Sequence, residues 1–263
     1  MGKVRVLVTG ATGKMGQHTI NAVNRESHLD LVGGTCSTDR GTTEIQLADG
    51  TSVPLSTDLE TLLDVTKPDV VIDFTNAHAV MSNADTIISK GIHCVIGASG
   101  INPSELVTLE KMQITYSVGV AVIPMFAIGA VVLKKLASEA SKFFDYVDII
   151  EAHHENKIDA PSGFAMDLSR MLSQEKRYTR NQVEVESVPN SRGGELNGVS
   201  IHSVRLPGRS AHHEIIFGAS GQTLSLKHDT LDRECYMPGV IQTVDYVCEN
   251  QSFVVGLENI LGI

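Results

Sequence analysis

The sequence predicts an α/β protein with one parallel-sheet domain and a smaller α+β domain built on a mixed sheet. Three observations predict it. Short β-branched runs alternate with helical spacings over the first half, strand-like runs follow one another without helices in the second, and the last residues return to the first texture. Length agrees, because 263 residues reach the size at which single cores stop growing, roughly 250–300 residues.

Lys3 to Thr9 reads KVRVLVT, a β-branched run closed by Gly10, and is predicted as a buried parallel strand. Met15 to Val23 carries apolar residues at helical spacing, and Leu29 to Thr35 returns as a strand. The alternation continues with a strand at Asp69 to Phe74, a helix at Ala77 to Lys90, a strand at His93 to Ile96 and a helix at Pro103 to Lys111. After Ile114 to Val118 the pattern changes. A long helix is expected at Ala127 to Phe144, then a strand at Val147 to Ala152, a polar loop through Ser162 and a helix at Gly163 to Gln174. Strands are expected next at Val183 to Val188, Val199 to Arg205, His212 to Phe217 and Thr223 to His228. The helix at Pro238 to Glu249 and the strand at Ser252 to Val255 resemble the first half. The expected domains are therefore 1–126 with 234–263, and 127–233. No internal repeat or low-complexity tract appears.

With 21 Lys+Arg against 31 Asp+Glu the formal charge is −10, which argues against broad attraction to nucleic acid or anionic lipid. A small partner fits better. No apolar run reaches the ~18–20 residues of a bilayer span, the stretch Val118 to Leu136 being broken by Gly119, Pro124 and Gly129. The N-terminus lacks a signal-peptide pattern, and Val6 stands where a myristoylation site needs Ser or Thr, so a cytosolic chain is expected. Cys36, Cys94, Cys235 and Cys248 lack CxxC spacing and read as reduced thiols.

Gly10-Ala11-Thr12-Gly13-Lys14-Met15-Gly16 falls between the first strand and its helix, where a dinucleotide pyrophosphate meets backbone N–H groups and the positive helix end. Its spacing is GxxGxxG, a variant of the usual GxGxxG. The end of the second strand reads Cys36-Ser37-Thr38-Asp39-Arg40. Ser37 and Thr38 suit a 2′-phosphate, which Arg40 or Lys14 would neutralise, so NADPH is favoured over NADH. Asp39 keeps NADH as the alternative. Phe74-Thr75-Asn76 and Gly97-Ala98-Ser99-Gly100 follow two further strands, at the sheet edge where ligands bind.

Glu151-Ala152-His153-His154-Glu155-Asn156-Lys157-Ile158-Asp159-Ala160-Pro161-Ser162-Gly163 concentrates the chemistry. A strand ends in two histidines, a lysine follows, and a Pro-Ser-Gly step opens a helix. Ser162 as N-cap, with Gly163 and Phe164 behind it, exposes backbone N–H groups that can seat a carboxylate. Lys157 is a proton source or an anion clamp, and either His153 or His154 can transfer a proton near neutral pH. Metal binding is the rival reading. It is disfavoured because adjacent histidines on an extended segment point to opposite faces and no HExxH or cysteine partner accompanies them. His212-His213 reads as an ordinary strand pair. No GxSxG elbow supports serine hydrolysis.

These residues resemble the dihydrodipicolinate reductase (4-hydroxy-tetrahydrodipicolinate reductase) family over nearly the whole chain. The resemblance rests on VTGATGKMG at Val8 to Gly16, VVIDFT at Val70 to Thr75, GASG at Gly97 to Gly100 and EAHHENKIDAPSG at Glu151 to Gly163. RGGELNGVSIHSVRLPG at Arg192 to Gly208, LKHD at Leu226 to Asp229, Arg233 and MPGV at Met237 to Val240 agree with it. It implies a Rossmann-type domain, a substrate and oligomerisation domain, a homotetramer, and NAD(P)H-dependent reduction of a cyclic imine dicarboxylate to tetrahydrodipicolinate in lysine biosynthesis. It further implies proton-donating roles for His153 and Lys157, substrate binding by His154, and a carboxylate held by Ser162 and Gly163. Gly10, Lys14, Met15, Gly97, Ser99, Phe126 and Arg233 fall at family cofactor positions. A plant member would act in the plastid stroma. Two departures stand out: Phe164 where the family has Thr, and Met125 where it has Asn. Two other readings remain: a nucleotide sensor without catalysis, and a sugar or semialdehyde dehydrogenase, the latter lacking a cysteine with an adjacent base.

Overall fold

β1 (Val4–Thr9) lies inside an eight-stranded sheet because its residues Val6, Leu7 and Val8 are wholly buried, as a strand covered on both faces requires. The computed structural model describes residues 2–98 and 100–263. After β1 come α1 (Lys14–Arg25), β2 (Leu29–Thr35), β3 (Glu44–Gln46), β4 (Ser52–Ser56), α2 (Leu59–Thr66), β5 (Val70–Asp73), α3 (Val80–Ser89), β6 (His93–Ile96), α4 (Pro103–Tyr116) and β7 (Val120–Val122). Next follow α5 (Ile128–Ser141), β8 (Tyr146–His153), α6 (Gly163–Glu175), β9 (Gly194–Leu196), β10 (Val199–Arg205), β11 (Ala211–Ala219) and β12 (Gln222–Thr230). A 3₁₀ turn at Arg233–Tyr236, α7 (Met237–Glu249), β13 (Phe253–Val255) and α8 (Leu257–Leu261) complete the chain. One unit comprises residues up to Ile128 together with Arg233–Ile263; the other is Gly129–Asp232.

In the first unit the strand order is β13-β7-β6-β5-β1-β2-β4-β3, parallel throughout except for the β3–β4 pair. Register fixes what matters for function. Thr9 pairs with Asp73, Asp73 with Ile96, and Ile96 with Val122. The loops leaving β1, β5 and β6 therefore emerge along one edge. The core beneath them gathers Leu7, Val71, Ile87, Ile88, Cys94 and Leu109.

In the second unit the order is β12-β11-β8-β10-β9, with β8 and β10 parallel and the other pairs antiparallel. Ser203 pairs with Glu151, Arg205 with His153, and His213 with both Glu151 and His228. Paired residues share a face. The inner face of this sheet buries Val147, Ile149, Ile201, Ile215 and Phe217 against Leu133 of α5 and Leu168 and Leu172 of α6.

Several elements depart from the sequence reading. No strand forms at Val183–Val188, although valine and glutamate alternate there. Val183, Val185 and Val188 are exposed, and Glu186 turns back to accept from the Ser191 hydroxyl and the Arg192 N–H, closing a loop. The helix predicted to end at Lys111 runs to Tyr116, and Ser117 terminates it in a left-handed conformation (φ 53°). The hairpin of β3 and β4, along with α2, β9 and α8, was not anticipated. The β3–β4 turn is built by Asp49, whose carboxylate accepts from Thr51 N–H, and by Gly50 at φ +85°. Cys36, Cys94 and Cys248 are free thiols. Among the described residues no helix is long and apolar enough to cross a membrane.

α4 begins with a reciprocal cap: Asn102 accepts from the Glu105 N–H, and the Glu105 carboxylate accepts from the Asn102 N–H. Asn102→Ala is expected to lower stability by about 1 kcal/mol, read as a reduced urea midpoint with unchanged slope. An unchanged midpoint would show that the cap contributes nothing.

Candidate active site

In the first unit the candidate site is the sheet edge where the loops after β1, β5 and β6 emerge. Gly10 turns the chain at φ +70°, and a Cβ there would meet the Phe74 carbonyl oxygen at 2.7 Å. At Gly16 a Cβ would lie 2.2 Å from the Gly10 oxygen, so the turn closes tightly only on glycine. Gly13 caps α1 with no side-chain hydrogen bond, and no acidic residue sits in the first turn. The opening N–H groups of α1 thus remain donors for an anion.

Beside this turn lies a cavity of about 450 Å³, lined among others by Gly10, Thr12, Gly13, Ser37, Arg40 and Phe74. Thr75, Cys36, Thr57, Asn76 and Asn83 also border it. Below it, the fully buried Asp73 accepts from the Thr75 N–H (2.7 Å), the Thr75 hydroxyl (2.5 Å) and the Asn83 amide (2.8 Å), which fixes the loop after β5. Asp39 Oδ1 accepts from the Gly41 N–H at 2.8 Å.

The remaining cofactor candidates among the described residues do not border the cavity. Ala11 is buried, with its N–H bonded to the Thr35 carbonyl, and Gly16 is buried under the turn. Lys14 and Met15 open α1, and Thr38 accepts from the Cys36 thiol through its carbonyl. Gly97 packs against Phe74 and Phe126, whose rings meet edge to face at 5.5 Å. Arg233 is exposed on the 3₁₀ turn. Ser99 lies outside the described residues.

In the second unit the candidate site is the C-terminal end of β8. Glu151 and His153, two residues apart, share one face, and His153 Nδ1 meets Glu151 Oε2 at 2.5 Å. Arg205 from β10 forks onto the same carboxylate, Nη1 to Oε2 at 3.0 Å and Nη2 to Oε1 at 2.8 Å, and also donates to the Asp159 carbonyl at 2.6 Å. The Ser162 N–H adds a longer bond to Oε1, 3.3 Å. Burial alone pushes the Glu151 carboxyl up, but the hydrogen bonds from His153, Arg205 and Ser203 outweigh it and hold the group at about 2.

Ser162 caps α6 by accepting from the Ala165 N–H (3.3 Å), and its Oγ also meets His213 Nε2 at 3.2 Å. Since Ala165 and Met166 N–H groups bond back to Ser162, the Gly163 and Phe164 N–H groups are the donors left at the helix mouth. A Cβ on Gly163 would meet nothing within 4 Å, so this approach is open. The Phe164 ring packs edge-on against His213 at 4.8 Å. Burial, followed by the nearby His153, drives His213 down to about 3, so the ring is neutral near pH 7.

In the loop, the Lys157 ammonium pairs with Asp159 at 2.6 Å, and its N–H closes a turn on the His154 carbonyl. His154 is exposed beyond the strand end and does not join the buried cluster. Among the described residues no group of His, Cys, Asp and Glu is arranged to hold a metal ion. The structure corrects one reading: His213 is a buried member of this cluster, because its register opposite Glu151 sends it inward, while His212 pairs with Asp229 at 2.8 Å. Glu151 and Arg205 had no assigned role, and only the strand pairing reveals them.

Comparison with known proteins matches both halves. Residues 4–126 fit the family model described as dihydrodipicolinate reductase, N-terminus, and residues 129–261 the one described as dihydrodipicolinate reductase, C-terminus. The chain is 44% identical to the 4-hydroxy-tetrahydrodipicolinate reductase of Syntrophomonas wolfei, covering 98% of this chain and 99% of that protein. It is 39% identical to the enzyme of the same name from Dehalococcoides mccartyi, over 99% of each chain. Among solved structures it resembles the dipicolinate-bound dihydrodipicolinate reductase of Paenisporosarcina sp. TG-14, with a TM-score of 0.87, 35% identity, and coverage of 98% and 99% of the two chains.

Two strongly depressed groups contribute to the acid response. His213 drops from 6.5 to about 3 and Glu151 from 4.5 to about 2, so each binds its proton more readily in the unfolded chain. Stability contributed by both is present above the unfolded values and lost as pH falls, first through the histidine window and then through the carboxylate window. Melting temperatures taken from pH 7.5 down to 3 are expected to decline, and His213→Asn to flatten the portion above pH 4.5. An identical profile in that variant would rule His213 out as the source.

Proposed function

Because the chain belongs to the dihydrodipicolinate reductase family, we propose that it reduces the cyclic imine dicarboxylate 4-hydroxy-tetrahydrodipicolinate to tetrahydrodipicolinate with NAD(P)H, a step of lysine biosynthesis through diaminopimelate. The observation that carries the assignment is the end of β8. An imidazole on a buried carboxylate, an ammonium and an open helix N-terminus stand on one short segment. The segment therefore has an acid for the proton and donors for a carboxylate.

The nucleotide-binding unit fits the cofactor on its own geometry, through a turn that closes only on glycine, a helix mouth without a capping side chain and the cavity beside both. A reduced nicotinamide supplies hydride when bound there. Gly10, Ala11, Thr12 and Gly13 would receive the pyrophosphate with Lys14, Met15 and Gly16. Phe74, Thr75, Gly97 and Phe126 would shape the nicotinamide end, and Arg233 and Ser99 would complete the set. Ser37 and Arg40 line the cavity and, with Thr38, favour a 2′-phosphate, so NADPH is the preferred reductant in this reading.

On the second unit the Gly163 and Phe164 N–H groups and Ser162 would hold one carboxylate, with His154 and Lys157 drawn to the substrate's negative charge. Lys157 already accepts a carboxylate neighbour in Asp159, which shows the ammonium's reach toward such a group. Once the 4-hydroxyl and a proton from the neighbouring ring carbon have left as water, hydride would add to the ring carbon conjugated with the imine and electron density would move toward nitrogen. His153 supplies the proton and Lys157 orients the substrate. Phe164 keeps the backbone donor while its ring is spent on packing against His213. On family grounds we propose a cytoplasmic homotetramer.

His153→Ala and Lys157→Ala are each expected to lower kcat by about 100-fold or more, with NADPH affinity by fluorescence titration changed less than about threefold. Full turnover in both would remove the proposed site. Arg40→Ala is expected to raise KM for NADPH about tenfold and leave KM for NADH unchanged. An equal change for both cofactors would exclude Arg40 from phosphate recognition.

A further inference from the structure

Oε1 of Glu151 receives Arg205 Nη2 and the Ser162 N–H, and Oε2 receives Arg205 Nη1 and meets His153 Nδ1, with the Ser203 side chain as a further donor to the carboxylate. An ionised carboxylate only accepts. The hydrogen on that imidazole therefore sits on Nδ1, and Nε2 has no hydrogen-bond partner among the described residues. The ring is 7% exposed and stands edge-on to His213 at 5.3 Å, so turning it over would disrupt packing.

We infer that Glu151, gripped by Arg205, is the positioning residue that fixes His153 as the Nδ1–H tautomer and makes Nε2 the nitrogen through which the proton of the reduction passes. This rests on the function proposed above. The step balances simply. The Nε2–H bond of the imidazolium breaks, its electron pair stays on Nε2, the proton goes to the substrate as hydride arrives from the nicotinamide, and solvent reprotonates Nε2. Because Arg205 holds both oxygens of Glu151, the Nδ1 proton remains on the ring instead of passing to the carboxylate.

Glutamine is the informative replacement. Each carboxylate oxygen meets at least two donors, so an amide NH₂ opposes donors whichever way it is turned. Facing His153, it would donate to Nδ1 and enforce the opposite tautomer. The titratable and charged groups around His153 are Glu151 on its own strand, Arg205 on β10, His213 on β11, and His154, Lys157 and Asp159 in the following loop.

The experiment joins ¹⁵N NMR of histidine-labelled protein, assigned with His153→Gln, to kinetics of Glu151→Gln. Expected are an Nδ1–H, Nε2-bare imidazole in the wild type and a fall in kcat of about 100-fold in the variant with KM within about threefold. In a His153→Ala background, Glu151→Gln should cost nothing more, which a purely structural role would not produce. A wild-type Nε2–H tautomer, kcat within about threefold of wild type, or an undiminished further loss in the His153→Ala background would each overturn the role. If the glutamine variant does not fold, the wild-type tautomer decides alone. Absence of reductase turnover in the wild type would count against the function, whereas the tautomer measurement bears on Glu151 directly.

Discussion

A carboxylate with no solvent exposure survives in a protein interior only when cations and donors surround it, and Glu151 is the group under that constraint here. The partners it recruits come from three places: its own strand, β10 and the residue that caps α6. Arg205 reaches both the carboxylate and the Asp159 carbonyl, so strand pairing and loop path are fixed by one guanidinium. Removing either partner of such a buried pair typically costs about 3–5 kcal/mol, although a well-packed apolar replacement of both can cost far less. The polar version brings order at the site. A slip of one residue between β8 and β10 would send Arg205 to the opposite face and undo the arrangement.

Two helix mouths meet the problem of an anion in different ways. α1 starts on Gly13, which offers no side chain, so its first N–H groups stay open. α6 starts on Ser162, which satisfies the Ala165 N–H and leaves those of Gly163 and Phe164. The same unpaired donors of a helix start serve in both places, once by omission and once by selective capping.

What the sequence revealed follows from locality. β1, β5 and β6 were legible because a strand buried on both faces needs an unbroken apolar run, and the glycine turn after β1 declares itself by spacing. His153, Lys157 and Ser162 were legible because they fall within a single stretch of the chain. Arg205 and His213 were not, lying 54 residues from Glu151 and 51 from Ser162, with roles set by strand register. The β3–β4 hairpin was missed because short polar edge strands carry little hydrophobic signal, though Asp49-Gly50 marks its turn. The opposite error arose at Val183–Val188, where alternation supplied a pattern and no neighbouring strand supplied hydrogen bonds.

β13 pairs with β7 as the outermost strand of the first sheet, Phe253 against Val120, although the 104 residues of a separate compact unit intervene in the chain between Ile128 and Arg233. A ribosome therefore emits every residue of the second unit before it emits the strand that finishes the first. The unit begun earliest is completed last, and until then the exposed flank of β7 offers unpaired backbone groups to any extended segment nearby. For a chain growing in a crowded cell, that interval is when trigger-type chaperones have most to shield.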